Sequence, residues 1–71
     1  MADTRRELVN LHRAAHRAAG INYSCVIEST GTAHSKSNDR LIEEIKQVIH
    51  DNDGELKKSF LIRWNKFKSK V

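Results

Sequence analysis

The chain has no proline, one cysteine and three glycines that stand far apart. Without proline no helix carries a built-in break, so long helices are free to run. The one cysteine, Cys25, cannot form an internal disulfide. A lone thiol fits a reducing compartment, so a cytoplasmic location is expected. Gly20, Gly31 and Gly54 are too scattered to make a phosphate-cradling loop, and each reads as the end of a helix or a turn. Long apolar runs are also missing. The longest are short stretches such as Phe60-Leu61-Ile62, so neither a membrane span nor a signal-peptide apolar region is expected.

Large side chains are few. Besides Tyr23, the aromatic residues are Phe60, Trp64 and Phe67, all near the C-terminus. A chain of 71 residues is one small domain. Such a domain buries only about 60% of the surface its unfolded chain exposes. With no disulfide framework and no evident structural metal to staple it, a homodimer or a partner that completes the core is favoured.

What the sequence does have is charge. Charged residues make up 31% and hydrophobic residues 38%, as in a small folded, highly charged domain rather than a disordered chain. The net charge is +4, and its layout says more than its sum. Residues 1–20 carry four arginines against Asp3 and Glu7, and residues 55–71 carry six cations against Glu55. Between them, residues 39–54 set Arg40 and Lys46 against five acids. Two basic segments bracket an acidic one.

The C-terminal segment reads as the element around which the chain is organised. On a helical wheel Leu56, Phe60, Trp64, Phe67 and Val71 fall within roughly 80°, an apolar stripe that must be buried. Lys57, Lys58, Arg63, Lys66, Lys68 and Lys70 surround it. Ile62 points away from the stripe and Leu61 lies at its edge, which marks a candidate interface with a partner or a second subunit.

At the N-terminus, Thr4 followed by Glu7 has the capping-box pattern, and a helix over about 4–19 is predicted with Gly20 beyond its end. Leu8, Leu11, Ala15, Ala18 and Ala19 share its inner face. Opposite, Arg6, Asn10, Arg13 and Arg17 line up within roughly 60°, a guanidinium row spaced one turn apart that suits phosphates. A loop follows at about 31–38. Ser37 or Asn38 then caps a second amphipathic helix over about 39–52, whose Leu41, Ile42, Ile45, Val48 and Ile49 form the strongest apolar stripe in the chain. Asp51-Asn52-Asp53-Gly54 is a tight connection, so helices over 39–52 and 55–69 are expected to pair as an antiparallel hairpin.

Residues 21–30 are ambiguous. Alternation of Tyr23, Cys25 and Ile27 with Ser24, Val26 and Glu28 leans to a strand, and a short helix is the alternative. The fold class is therefore mainly α, a small single domain with a long N-terminal helix and a C-terminal helix hairpin. The alternative is α+β, with one short strand around 22–29 paired across a dimer in the manner of ribbon-helix-helix proteins. The stretch Ala19-Gly20-Ile21-Asn22-Tyr23-Ser24-Cys25-Val26 resembles the turn and second-helix start of a DNA-binding helix-turn-helix, with Gly20 in the turn and Ile21 and Val26 packing inward. His16 and Ser29 depart from that pattern. The resemblance implies that Asn22, Tyr23 and Ser24 face a groove.

Catalytic and metal chemistry find little footing. His12 and His16 stand four apart, a spacing used for zinc, but no second ligand pair exists, and the two read as half-packed boundary residues. Cys25 sits beside Val26 and Ile27, where a buried inert thiol is expected. No enzyme activity, metal or cofactor is predicted. The expected function is nucleic-acid binding or regulation through phosphate contacts from Arg6, Arg13, Arg17, Lys57, Lys58, Lys66, Lys68 and Lys70, with Asn22, Tyr23 and Ser24 as base readers. The alternative is a protein-interaction module that meets an acidic partner through the basic surface and through Leu61 and Ile62.

Overall fold

The structure, a computed structural model, describes residues 2–70, with side chains from Thr4 to Ser69. Val71, the expected end of the apolar stripe, and the Lys70 side chain lie outside the described residues. The elements are α1 (Ala2–Ala18), α2 (Tyr23–Thr30), a 3-10 turn (Ala33–Ser35), α3 (Asn38–Asp51) and α4 (Lys58–Lys70). No strand occurs among the described residues.

The ambiguous segment is thus helical, and the strand alternative is overturned. Asn22 decides the start: its Oδ1 accepts the Ser24 N–H at 3.0 Å, the N-cap contact that seeds a helix. Tyr23, Val26 and Ile27 repeat at helical spacing and are half-buried, whereas Cys25, which the strand reading turned inward with Tyr23 and Ile27, is exposed. β-Branched content is a weak preference that a cap and an apolar face override. The Ser29 and Thr30 hydroxyls bond back to the Cys25 and Val26 carbonyls, and α2 ends at Gly31 with φ +91°.

α1 spans Ala2–Ala18, so Thr4 and Glu7 lie within its first turns rather than at a capping box. Its end is a Schellman motif. The Gly20 N–H donates to the Arg17 carbonyl, the Ile21 N–H to the His16 carbonyl, and Gly20 takes the required left-handed φ of +76°. At the end of α3 the same pattern falls on Asp53, at φ +54°, followed by Gly54. α3 itself is capped by the Ser37 Oγ, which accepts the Arg40 N–H at 3.2 Å.

The core gathers Leu8, Leu11 and Ala15 from α1, Leu41, Ile45 and Val48 from α3, and Phe60, Trp64 and Phe67 from α4. Leu56 is buried although it precedes α4, because the helix starts at Lys58 rather than at 55. The Trp64 and Phe67 rings stack 5.9 Å apart. The organising element is α1, not α4. The element pairs that pack most extensively all involve α1, α3 foremost and α4 next, so the expected α3–α4 hairpin is not the pair that carries the packing. The small side chains of α1 explain this: Ala15 is fully buried and lets a neighbouring backbone come close.

Candidate nucleic-acid interface

Two polar arrangements stand out on this frame, one inside and one at the surface. The inner one is centred on Glu44 of α3. Its Oε1 accepts from His12 Nε2 at 2.7 Å and from Lys36 Nζ at 2.8 Å, and its Oε2 accepts from Arg40 Nε at 2.8 Å. Burial alone would raise the Glu44 carboxyl. The bonds from Lys36, His12 and Arg40 outweigh it and hold Glu44 at about 2, so it is ionised and can only accept.

That fixes the His12 tautomer. Burial holds His12 below its ordinary 6.5 in spite of Glu44, so the ring is neutral at pH 7 with its proton on Nε2. The His12 Nδ1 then accepts from the Tyr23 hydroxyl at 2.7 Å. Burial in turn pushes the Tyr23 phenol up. A chain of hydrogen bonds, Tyr23 to His12 to Glu44, joins α2, α1 and α3.

His12 and His16 are therefore not boundary residues: they are 1% and 6% exposed. His16 donates from Nδ1 to the His12 carbonyl at 2.7 Å, and the two rings lie 4.6 Å apart. Both ring nitrogens of His12 are hydrogen-bonded, and among the described residues no group of three His, Cys, Asp or Glu side chains is placed to hold a metal ion. Two cations that sequence reasoning passed over belong to the same framework. Lys36, 8% exposed, also bonds the Thr30 hydroxyl at 2.8 Å. Arg5 donates to Asn38 Oδ1 at 2.8 Å and to the carbonyls of Ala33, His34 and Lys36, tying the 3-10 turn and the start of α3 to α1. The signal for Arg5 was faint: it sits one residue off the Arg6–Arg13–Arg17 row.

The outer arrangement is a basic cleft of about 250 Å³ between the C-terminal half of α1 and the first turn of α4. Arg17, Lys57 and Arg63 line it together with Ser59 over a floor that includes Phe60, and no carboxylate takes part. Here the two cationic rows meet. Arg6, Arg13 and Arg17 of the α1 row are all exposed, as are Lys57, Lys58, Lys66 and Lys68 on α4. None of these seven, nor Arg63, forms an ion pair among the described residues. Arg13 lies over the Tyr23 ring at 5.9 Å and Lys68 over Trp64 at 5.8 Å. In the sequence Arg63 reads as a flank of the apolar stripe, and only the α1–α4 packing brings it into one cleft with Arg17.

The other predicted positions are placed differently. Asn22 spends its side-chain oxygen on the α2 cap, and the Tyr23 hydroxyl is bonded inward to His12, while Ser24 is exposed. Ile21 does not pack inward as the helix-turn-helix resemblance implies: it is 40% exposed, although Gly20 makes the turn and Val26 is half-buried. On α4, Leu61 is half-buried against the core and Ile62 is 56% exposed. No helix among the described residues is long and apolar enough to cross a membrane. No family model, curated protein or solved structure matches the chain.

Proposed function

We propose that the protein binds nucleic acid through its phosphates, along the face formed by α1 and α4. The observation that carries this reading is the cleft where Arg17, Lys57 and Arg63 converge without a carboxylate. Three cations that line one cleft, none in an ion pair among the described residues, repel one another, and an anion relieves that repulsion. The first turn of α4 adds the positive end of its dipole, and Ser59 adds a hydroxyl donor. Arg6 and Arg13 extend the cationic track along α1, and Lys58, Lys66 and Lys68 extend it along α4.

Among the described residues, the basic segments themselves carry the acids Glu7 and Glu55. Glu44 is consumed by His12, Lys36 and Arg40, and the remaining acids of residues 39–54 lie on or just beyond α3. The chain is thus charged oppositely on different elements, which steers a polyanion to one face. Because Asn22 and Tyr23 are engaged internally, backbone contact rather than base reading dominates the proposed interaction.

The test is fluorescence anisotropy with a random-sequence duplex and a single strand, at low and at moderate salt. Binding that weakens steeply with salt is the expected result. Absence of binding even at low salt overturns the reading and leaves the exposed Ile62 as the surface through which the protein meets a protein partner.

A further inference from the structure

Two large apolar side chains, Ile21 and Ile62, are exposed, and their surroundings are complementary. Ile62 stands on the outer side of α4 with Lys58 one turn before it and Lys66 one turn after, both exposed and neither in an ion pair among the described residues. It is an apolar knob between two cations. Ile21 belongs to a different feature, a cleft of about 340 Å³ between α2 and α3. Ile21, Val26 and Val48 make its apolar lining, and Ser29, Gln47 and Asp51 are among its polar members. No lysine or arginine lines it. Asp51 is exposed; among the described residues its carboxylate accepts a hydrogen bond from Gln47 Nε2 at 2.8 Å and lies 3.9 Å from His50 Nδ1, with no lysine or arginine beside it.

We infer that this cleft receives Ile62 of a second copy of the chain. At about 340 Å³ the cleft has room for a four-carbon side chain, and its apolar lining gives that side chain the burial α4 denies it. Lys58 or Lys66 of the incoming helix meets Asp51 at the rim, which sets the orientation. One contact covers both exposed isoleucines, and it joins the basic α4 of one copy to the acidic α3 of the next. Ile62 and the cleft lie on different sides of the fold, and the contact inferred is heterologous: each copy offers a knob in one place and a hole in another, and copies add head to tail. A contact of one side chain and one rim ion pair is weak and reversible. The inference does not rest on nucleic-acid binding. Where both hold, copies lying side by side on one strand touch each other, and binding becomes cooperative.

The experiment is sedimentation equilibrium of the full chain over a range of concentrations. The wild-type mass is expected to rise with concentration past that of a dimer. Ile62→Asp lacks the knob and Ile21→Asp lacks the hole; both positions are exposed, so each variant is expected to keep the wild-type circular dichroism and to remain monomeric. Mixed in equal amounts they restore one intact contact, and the mass doubles and stops there. Asp51→Lys serves as a second hole variant and is expected to behave as Ile21→Asp does. A wild type that stays monomeric at every concentration overturns the inference. So does a variant that associates like wild type, a mixture that remains monomeric, or a wild-type mass that stops at a dimer, the last being the behaviour of a symmetric, closed contact.

Discussion

His12 of α1 and Glu44 of α3, 32 residues apart, are joined by a 2.7 Å hydrogen bond at the point where α1, α2 and α3 meet. In a chain with few large apolar side chains, this bond and those around it decide how the helices are set. Lys36 is buried against the same carboxylate, so each partner is tolerable inside only while the other is present.

Glu44→Gln is accordingly expected to be among the most damaging single changes. It removes the charge that compensates buried Lys36 and leaves one acceptor oxygen where there were two, so His12, Lys36 and Arg40 can no longer all be satisfied, a loss on the order of 1.5–3 kcal/mol. Urea unfolding followed by Trp64 fluorescence measures it. A midpoint equal to wild type contradicts the assignment.

Acid should weaken the fold in two stages. The folded His12 lies below 6.5, so the folded chain disfavours its protonation; that contribution is complete above about pH 6.5 and is lost as pH falls below it. Glu44 is held at about 2 against an ordinary 4.5, so its contribution is complete above about pH 4.5 and drains away toward pH 2. Both act in the same direction. Urea midpoints measured from pH 8 to pH 3 should be flat above 7, decline from about 6.5 and fall faster below 4.5. Equal stability at pH 7 and pH 3 is the contrary result.

Tyr23→Phe keeps the ring and deletes the donor to His12 Nδ1. The unmet acceptor is expected to cost about 1–3 kcal/mol, and the His12 tautomer loses one of the two bonds that fix it. Nitrogen NMR of the His12 ring reports the tautomer directly in both proteins.

Arg5→Lys tests the bracing of the 3-10 turn. An ammonium cannot reproduce a planar fork that reaches Asn38 and three carbonyls, so amide exchange is expected to quicken over residues 33–38 while the core of α4 stays protected. Unchanged exchange there would show the fork to be dispensable.

How far these features could be read beforehand depended on whether they were local. The α3 stripe, the Ser37 cap and the Gly20 termination follow from spacing over a few residues, and each is present in the structure, whereas the end of α3 falls on Asp53, one residue before Gly54. The 23–30 segment misled because period-2 and helical patterns coexist in eight residues, and the deciding contact is one asparagine cap. His12 looked like half of a metal pair or a boundary residue because its partners, Tyr23 and Glu44, come from α2 and α3. Likewise the basic rows were visible on their own helices. Their convergence at Arg17 and Arg63 was not, because it requires α4 to pack against α1 rather than chiefly against α3.

The central claim is that nucleic acid is held at the α1–α4 face, and the salt dependence of binding tests it most directly. The log–log slope should be compared for wild type, Arg17→Ala/Arg63→Ala and Lys46→Ala, the last an exposed cation on α3 outside the cleft. A slope of several for wild type, reduced by about two in the double variant and unchanged in Lys46→Ala, is the predicted result. Equal slopes in all three, or no binding at low salt, would contradict it.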